Sequence, residues 1–371
     1  MRVLVTGGSG FLGNACLQVL QQAHPDWHLT NLDLYRLPSQ SDISFEEADI
    51  TCPEQVRSAI RTSNPDAIVH TAGWVPGGRA RYSTDPTIRD RVFAVNVSGT
   101  ENVLAAAGET QCRVFVYTSS CTVISDDMNH DYPLMNEKIP TGNATLSYGA
   151  SKAVAEKIVL AADSPSLATC ALRPATVIGP GDNFGVIAAI HNCIAKWETP
   201  FIIGDGDNMY DFVYVSNVAD AHLLALENLL LHHREAGNKD SVEDRRVEKE
   251  SAAGKAFFIS NQEPIYFRDF MLAIWAFFGH VPPFQVRVPA NAAWLAGVVA
   301  DVVTWATGTE PSLSRGSVQD ALGTRYSDNS RARRILGYVP RVGFVEAVRL
   351  ACEDYKNQLE RRRKKIPRTG K

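Results

Sequence analysis

Short apolar runs alternate with segments of helical periodicity along the first half of the chain. The runs are rich in Val, Ile and Leu, which is typical of strands buried on both faces of a parallel sheet. They occupy residues 3–5, 28–34, 67–70, 113–120 and 172–174. Between them, helical spacing of apolar residues starts at residue 11 and recurs over residues 53–62 and 89–107. Strands that alternate with helices predict an α/β fold with a doubly wound parallel sheet.

The second half of the chain follows a less regular pattern. A strand runs into a helix over residues 211–225, a strand covers 256–260, and helices are predicted over 266–278 and 290–307. The last two helices carry more apolar residues than one core-facing stripe needs, so we expect part of their surface to line a dry pocket or to face a membrane. Residues 232–255 are highly charged, which predicts an exposed insertion.

Three glycines mark the junction between the first strand and the first helix. Gly7, Gly10 and Gly13 lie in the sequence TGGSGFLG. In a strand–turn–helix unit of this kind, the first glycine allows a tight turn and the second lets the backbone approach a pyrophosphate. The third lets the helix pack close to the strand, and the free N–H groups of the helix N-terminus attract phosphate. The junction predicts a dinucleotide site.

The second predicted strand ends in an acidic residue. Asp33 follows Gly13 by about 20 residues, the position from which a carboxylate binds the ribose hydroxyls in dinucleotide-binding folds. Because this carboxylate would repel a 2′-phosphate, NAD is favoured over NADP as the cofactor. Arg36 lies nearby in the sequence and weakens that preference.

Two further motifs carry groups suited to redox chemistry at an alcohol. Tyr148 and Lys152 stand four positions apart in YGASK and would project from one face of a helix. We expect the ammonium to lower the pKa of the phenol and so to make it a usable general base. Thr118-Ser119-Ser120 ends a predicted central strand, where a serine hydroxyl can hydrogen-bond a substrate oxygen.

Composition narrows the class of protein. The 371 residues are 45% hydrophobic and 21% charged with a formal net charge of −4, so we expect no nucleic-acid partner. The seven cysteines show no metal-ligand spacing and are typical of reduced thiols inside an intracellular protein. The first strand begins at Arg2, so we expect no signal peptide and no secretion.

The order and spacing of these motifs resemble those of extended short-chain dehydrogenases/reductases. The motifs are TGGSGFLG (6–13), HTAG (70–73), NVSGT (96–100), YTSS (117–120), YGASK (148–152) and LRPATVIGPGD (172–182). More narrowly, the chain is similar to the 3β-hydroxysteroid dehydrogenase group and, within it, to the sterol-4α-carboxylate 3-dehydrogenases. The narrower resemblance rests on residues 204–222, 254–270 and 313–340. It covers nearly the whole chain.

The resemblance implies a catalytic set of Ser120, Tyr148 and Lys152. Tyr148 would be the base, Lys152 would bind the nicotinamide ribose and tune Tyr148, and Ser120 would bind the substrate oxygen. Asn96 would either brace the loop beside the cofactor or simply begin a helix. The implied cofactor-binding residues are Gly7, Ser9, Gly10, Phe11, Leu12, Asp33, Asp49, Ile50, Ala72, Asn96, Thr118, Tyr148, Lys152 and Pro174. Of these, Asp49 and Ile50 would flank the adenine, and Ala72 and Pro174 would line the cofactor channel. No metal site is expected.

Two departures from the family pattern bear on the substrate. Ile124 stands where sugar-nucleotide epimerases of this superfamily usually have a tyrosine, which argues against a sugar nucleotide. The segment over residues 74–82 is longer and more basic than we expect for a sterol enzyme. Its Arg79 or Arg81 would either meet a substrate carboxylate or be an exposed loop arginine.

The resemblance implies NAD-dependent oxidation of a 3β-hydroxyl on a sterol or polycyclic terpenoid to the ketone. An adjacent C4 carboxylate, where the substrate carries one, would leave as CO2. A nucleotide-sugar epimerase or dehydratase is the alternative enzyme, and a non-catalytic nucleotide sensor with a Rossmann fold is the alternative without chemistry.

The expected organisation is a Rossmann-type NAD-binding domain over residues 1–180, to which residues 211–230 and 256–260 return. Residues 181–371 would form mainly a smaller, interleaved substrate-binding part, with the charged insertion at 232–255. The expected partner is a hydrophobic small molecule; peripheral membrane contact and a homodimer are further hypotheses. The expected location is the cytoplasm or the surface of the endoplasmic reticulum membrane.

Overall fold

A seven-stranded parallel sheet forms the centre of the computed structural model, which describes residues 1–182, 185–237, 250–307 and 313–365. The strands are β1 (Arg2–Thr6), β2 (His28–Asp33), β3 (Ser44–Glu47), β4 (Ala67–His70), β5 (Val114–Thr118), β6 (Tyr132–Met135), β7 (Ala168–Pro174), β8 (Thr176–Ile178), β9 (Phe201–Ile203), β10 (Met209–Tyr210), β11 (Phe212–Tyr214), β12 (Lys255–Ile259), β13 (Ile265–Tyr266), β14 (Val286–Val288) and β15 (Arg325–Ser327).

The α-helices alternate with the strands of the central sheet and then dominate the second half. They are α1 (Phe11–Ala23), α2 (Pro53–Ser63), α3 (Pro86–Phe93), α4 (Gly99–Gly108), α5 (Thr122–Ser125), α6 (Ser147–Ala161), α7 (Val186–Ala195), α8 (Val215–Gly237), α9 (Phe267–Phe277), α10 (Ala290–Thr307), α11 (Arg315–Leu322), α12 (Ser330–Leu336) and α13 (Phe344–Lys365). Short 3-10 turns cover Pro38–Gln40 and Gly78–Tyr82. Within the described ranges, no helix has the length and hydropathy needed to cross a membrane.

The order of the central strands is β12-β7-β5-β4-β1-β2-β3, and all neighbouring pairs are parallel. The chain builds outward from β1 to β3, crosses back to β4, and then builds outward on the other side. The direction of growth therefore reverses between β1 and β4. In such sheets the carboxyl ends of the strands at the reversal open the crevice that binds ligands. The predicted doubly wound Rossmann-type sheet is confirmed.

Helices cover both faces of this sheet. Successive side chains of a strand point to opposite faces, so Val3 and Val5 of β1 pack in one core with α1 and α8, and Leu4 packs in the other with α2, α4 and α6. All three side chains are almost completely buried. Burial on both faces explains why these strands are continuously apolar rather than alternating.

The remaining strands form smaller sheets. β8 pairs with β11, β9 pairs with β14, and a four-stranded sheet has the order β13-β10-β15-β6. Since β6 comes from the first half of the chain and β15 from near its end, the two parts interleave. A separate core of aromatic residues, including Phe212, Phe270 and Trp275, joins β11 to α7, α9 and α13. The division at residue 180 stays a prediction.

Two predicted elements differ from those observed. The single helix predicted over 89–107 is α3 and α4 joined by a π-helical turn, Ala94–Ser98. The charged insertion predicted over 232–255 is shorter, because α8 continues to Gly237, Ala252 is fully buried, and β12 begins at Lys255. Residues 238–249, the centre of that insertion, lie outside the described part of the chain.

Candidate active site

The glycine-rich turn between β1 and α1 leaves no room for side chains. Gly7 has φ of +71°, and a Cβ on it would lie 2.8 Å from the backbone of Ala72 at the end of β4. A Cβ on Gly13 would lie 2.1 Å from the carbonyl oxygen of Gly7. Gly10 is the N-cap of α1, and no side chain caps the helix. The N-terminal N–H groups of α1 can therefore bind an anion such as a dinucleotide pyrophosphate.

Asp33 lies directly beside this turn. Its Oδ2 accepts a hydrogen bond from the amide of Ser9 (2.9 Å), and its Oδ1 accepts one from the amide of Leu34 (2.7 Å). Burial raises the pKa of Asp33, and the two backbone N–H groups oppose that shift. The carboxylate is thus oriented at the edge of the turn, where a ribose would follow the pyrophosphate.

The guanidinium of Arg36 hydrogen-bonds backbone carbonyl oxygens of its own loop. Its Nη2 donates to the carbonyl oxygens of Gln40, Ser41 and Ile43 at 2.8 to 2.9 Å. An arginine that serves a 2′-phosphate needs its planar N–H groups directed at the ligand. The structure therefore weakens the argument that Arg36 offsets the preference for NAD over NADP.

The structure also places the other predicted cofactor residues. Ile50 is buried and packs against Gly99 at the start of α4, where a Cβ would lie 2.6 Å from its side chain. The carboxylate of Asp49 accepts from the amide and hydroxyl of Thr51. Phe11 and Leu12 form the first turn of α1, and Phe11 packs near Gly181. Pro174 ends β7 beside Ile259.

Asn96 is fully buried inside the π-helical turn. Its Oδ1 accepts from the amide of Trp74 (2.7 Å), and its Nδ2 donates to the carbonyl oxygen of Trp74 and to Ser151 Oγ (both 3.1 Å). These bonds fix the segment after Ala72 against α6. A Cβ on Gly73, in the same segment, would lie 3.3 Å from Lys152 Nζ, so the backbone passes close to the ammonium.

Tyr148 and Lys152 lie on α6, and Ser120 follows the end of β5. Tyr148 and Lys152 are 8% and 4% exposed. Lys152 Nζ donates to the carbonyl oxygen of Thr118 (2.8 Å) and lies 4.9 Å from the ring centroid of Tyr117. Ser120 lies near Tyr148 and lowers the pKa of its phenol.

The two serines of the strand end have different partners. Ser119 Oγ donates to Glu156 Oε2 (2.6 Å), and Glu156 forms a buried, bidentate ion pair with Arg173. Ser119 is therefore part of the packing between α6 and β7. Ser120 lies near Tyr148, and its role at the substrate oxygen stays a prediction.

Burial outweighs the effect that we expect from Lys152 on the pKa of Tyr148, and the tuning of Tyr148 by Lys152 stays a prediction. Burial raises the pKa of Tyr148 above its usual range, opposed by the nearby positive charge of Arg81 and by Ser120. Burial also lowers the pKa of Lys152 to about 8, opposed by Glu156. The sequence reveals the Tyr–Lys spacing but not the loss of water from both groups, which is the larger effect here.

A cavity of about 330 Å³ lies next to this centre, lined by Cys121 directly after Ser120. Its wall combines aromatic side chains such as Phe212 and Phe267 with two ion pairs, Arg81–Asp126 and Arg325–Asp320. Asp211 also lines it, and burial raises the pKa of that carboxyl to about 6. Sequence reasoning missed Asp126, Asp211, Asp320 and Arg325 as cavity residues.

The apolar surface of the helices over 266–278 and 290–307 is expected to line a dry pocket or to face a membrane, and the structure shows the first of these only at Phe267. From α9 only Phe267 reaches the cavity, because Phe270, Ile274 and Trp275 are buried against other helices. The described side chains of α10 do not line it. They leave an exposed apolar face instead, and the side chain of Trp305, part of that expectation, lies outside the described part of the structure.

The chain matches one family model over most of its length. The model of the 3-beta hydroxysteroid dehydrogenase/isomerase family matches residues 4–290. A decarboxylating sterol-4-alpha-carboxylate 3-dehydrogenase from Saccharomyces cerevisiae is 32% identical over 360 residues, which cover 93% of this chain and 95% of that protein. A 2-alkyl-3-oxoalkanoate reductase from Stenotrophomonas maltophilia is 31% identical over 354 residues, which cover 94% of this chain and 98% of that protein.

Solved structures share the fold at lower identity. UDP-glucose 4-epimerase from Thermotoga maritima superposes with a TM-score of 0.71 at 20% identity, and the match covers 97% of this chain and 100% of the epimerase. UDP-glucose 4-epimerase from Thermus thermophilus, solved with NAD, gives a TM-score of 0.67 at 22% identity over 96% of this chain and 99% of that one. These likenesses support the Rossmann-type fold.

The buried ammonium of Lys152 predicts a pH-dependent stability. An unfolded lysine titrates near 10.4, whereas burial lowers the pKa of Lys152 to about 8 in the folded chain. Between these values the unfolded chain binds more protons, so the penalty for burying the charge is full below pH 8 and fades towards pH 10. Relative to Lys152→Met, wild type should gain about 2–3 kcal/mol in free energy of unfolding between pH 7 and pH 10.

Urea denaturation of cofactor-free protein at the two pH values measures this difference. Lys157→Met is the matched control, since Lys157 lies on the exposed side of the same helix. Lys157→Met should change the free energy of unfolding by the same amount at both pH values. A pH-independent difference between wild type and Lys152→Met would show that Lys152 is not charged and buried as observed.

Proposed function

The chain belongs to the 3-beta hydroxysteroid dehydrogenase/isomerase family, and on that premise we propose that it oxidises a 3β-hydroxyl of a sterol or polycyclic terpenoid to the ketone, with NAD as the hydride acceptor. It is an oxidoreductase of the short-chain dehydrogenase/reductase superfamily. The observation that carries the proposal is that Tyr148 lies next to Ser120 and to Arg81, a residue on the wall of a partly apolar cavity.

The cofactor cradle fits a dinucleotide. The turn at Gly7 and Gly10 leads into an uncapped helix, which can bind the pyrophosphate. Asp33 would accept hydrogen bonds from the adenosine ribose, and Lys152 would bind the nicotinamide ribose. NAD, when bound, accepts a hydride from the carbinol carbon and brings a positively charged ring to the site.

Tyr148 would take the proton of the substrate hydroxyl. Burial makes the phenol a poor acid in the cofactor-free chain, so phenolate must be favoured by positive charge that arrives or is already present nearby. Arg81 supplies part of that charge, and Ser120 would hydrogen-bond the substrate oxygen as it becomes a carbonyl. Lys152 keeps its ammonium directed at Thr118 and so holds α6 in place.

Loss of CO2 would follow oxidation without further groups where a carboxylate sits on the carbon next to the new ketone. The electron pair of the breaking carbon–carbon bond passes into the carbonyl and leaves an enolate, which then takes up a proton. Two of the relatives are named for substrates with an oxygen function at position 3 and a carboxylate. A C4-carboxylated, 3β-hydroxylated substrate is therefore the first one to test.

The family assignment favours this dehydrogenase over the two alternatives. The likeness to nucleotide-sugar epimerases is one of fold at about 20% identity, and Ile124 occupies a buried position in place of their usual tyrosine. A sensor without chemistry would have no use for the buried Tyr148 and Lys152, since burying such groups costs stability.

We propose that α10 makes a peripheral membrane contact. Trp294, Leu295, Val299, Val302 and Val303 are 41–60% exposed on this helix. Monomers seldom leave so much adjacent apolar surface in water. The basic end of α13, which includes residues 361–364, would add attraction to anionic lipid. The corresponding location is the surface of the endoplasmic reticulum membrane, and a homodimer stays a prediction.

Asp33 should set the choice of cofactor. We expect NAD to bind more tightly than NADP, and Asp33→Ala should shrink the ratio of the two dissociation constants by roughly tenfold, because a charged hydrogen-bond acceptor is lost. Titration of each cofactor followed by calorimetry measures this ratio. Asp42→Ala, an exposed aspartate of the following loop, is the control. Equal affinities in wild type would disprove the role of Asp33.

Tyr148→Phe should reduce turnover of a 3β-hydroxy-4α-carboxysterol by roughly two or more orders of magnitude while NAD binding changes little, since only the proton acceptor is removed. NADH absorbance follows oxidation, and trapped CO2 follows decarboxylation. Tyr266→Phe changes an exposed phenol and should retain full activity. Turnover of UDP-sugars, with none of any sterol or terpenoid, would refute the proposed function.

The exposed face of α10 should drive binding to lipid vesicles. Leu295→Ser combined with Val299→Ser should reduce co-sedimentation with vesicles of phosphatidylcholine and phosphatidylserine several-fold, because buried apolar area drives such binding. Val345→Ser removes a valine from α13 that is more exposed (80%) than Val299 (55%) and should have no effect. Wild-type protein that remains in the supernatant would rule out the contact.

A further inference from the structure

Arg81 lies on the cavity wall beside the catalytic tyrosine. We infer that Arg81, held in place by Asp126, binds the carboxylate of a substrate whose neighbouring hydroxyl is at Tyr148. The inference rests on the proposed function and names the residue that would select carboxylated substrates. Arg79, the other arginine considered for this role, has a side chain outside the described part of the structure.

The position of Arg81 is fixed by a buried carboxylate. Its Nη1 donates to Asp126 Oδ2 (2.8 Å) and its Nη2 to Asp126 Oδ1 (2.5 Å). Asp126 is 1% exposed and also accepts from the amide of Gly149 (2.9 Å), the residue after Tyr148. One carboxylate therefore ties the guanidinium to the start of the helix that carries the proposed base. This bidentate geometry leaves little freedom to Arg81.

Arg81 lies close to the side chain of Tyr148 and is partly accessible. Arg81 Cζ lies 5.7 Å from the ring centroid of Tyr148, and the side chain is 20% exposed. A guanidinium has five N–H donors, of which Asp126 takes two. Other N–H donors of Arg81 can therefore serve a second carboxylate from the cavity side while Asp126 keeps its place.

The other charged groups of the cavity wall are already occupied. Asp320 accepts from Arg325 Nη1 and from two tyrosine hydroxyls. Asp211 accepts from the amide and the hydroxyl of Ser327, and burial raises its pKa to about 6. Arg325 is only 5% exposed. Of the two arginines on the wall, Arg81 is thus the more accessible one and the one observed beside the base.

Removal of Arg81 alone would leave Asp126 buried without its partner and could unfold the site. The variant for the test is therefore Arg81→Gln with Asp126→Asn, which removes both charges while the amide oxygen of position 126 can still accept from Gly149. Arg2→Gln with Asp66→Asn is the matched control, an Arg–Asp pair between β1 and the residue before β4, at the amino ends of these strands. Thermal unfolding and NAD binding check that each variant is folded.

Binding to the NADH complex tests the inference without turnover, since NADH accepts no hydride. The ligands are a 3β-hydroxysterol with a 4α-carboxylate and the same sterol with a 4α-methyl group. Wild type and the Arg2/Asp66 variant should prefer the carboxylate by roughly 10- to 100-fold, and the Arg81/Asp126 variant should bind both ligands within about threefold. Arg81→Lys should keep part of the preference for the carboxylate, because an ammonium retains the positive charge but cannot form the two parallel hydrogen bonds of a guanidinium.

The experiment distinguishes failure of the Arg81 assignment from failure of the proposed function. A preference that survives in the Arg81/Asp126 variant, disappears only in Arg325→Gln, or is missing from wild type overturns the assignment of Arg81. Steady-state oxidation with NAD is measured separately as the ratio of kcat/KM for the two sterols, in which any common effect of Arg81 on Tyr148 cancels. Binding with the expected preference but no oxidation would refute the proposed function and leave the carboxylate site supported.

Discussion

The attachment of α6 to the carboxyl end of β5 determines the geometry of the whole active site. Three polar contacts make it: Lys152 Nζ to the carbonyl oxygen of Thr118, Ser119 to Glu156, and Gly149 to Asp126. Each of these polar side chains is buried, so loss of one contact would leave a buried charge or dipole unpaired. The groups that hold α6 against β5 also border the reaction centre. The phenol of Tyr148 therefore cannot shift without disrupting the packing of α6 on the sheet.

Burial explains why this centre needs its ligands to act. It raises the pKa of Tyr148 and lowers that of Lys152 to about 8, and both shifts disfavour the ion pair that proton transfer requires. A positive charge beside the phenol lowers the pKa of Tyr148 again, and Arg81 already does so in part. The phenol of Tyr148 therefore stays protonated near neutral pH, and a positively charged ring beside it would raise the share of phenolate.

The parts predicted from sequence are those that depend on local pattern. The apolar strands, the glycine turn with Asp33, and the Tyr148–Lys152 spacing each lie within one or two elements, and the structure places them together as expected. The contact of Arg81 with Asp126 spans 45 positions, and periodicity carries no information about it. Likewise, α9 is apolar on most sides, so its sequence could not show that α7 and α13 would cover it and leave only Phe267 for the cavity.

The cofactor-binding part and the substrate cavity differ in the same way. The cofactor cradle is built from the turns after consecutive strands, whereas the cavity wall takes Asp126, Phe212 and Arg325 from three distant segments brought together by the small sheets. The wall joins apolar rings to ion pairs whose members are already fixed by hydrogen bonds. Such a surface offers apolar contacts beside charged groups that are oriented in advance. It therefore suits a ligand with an apolar skeleton and a polar group at one end.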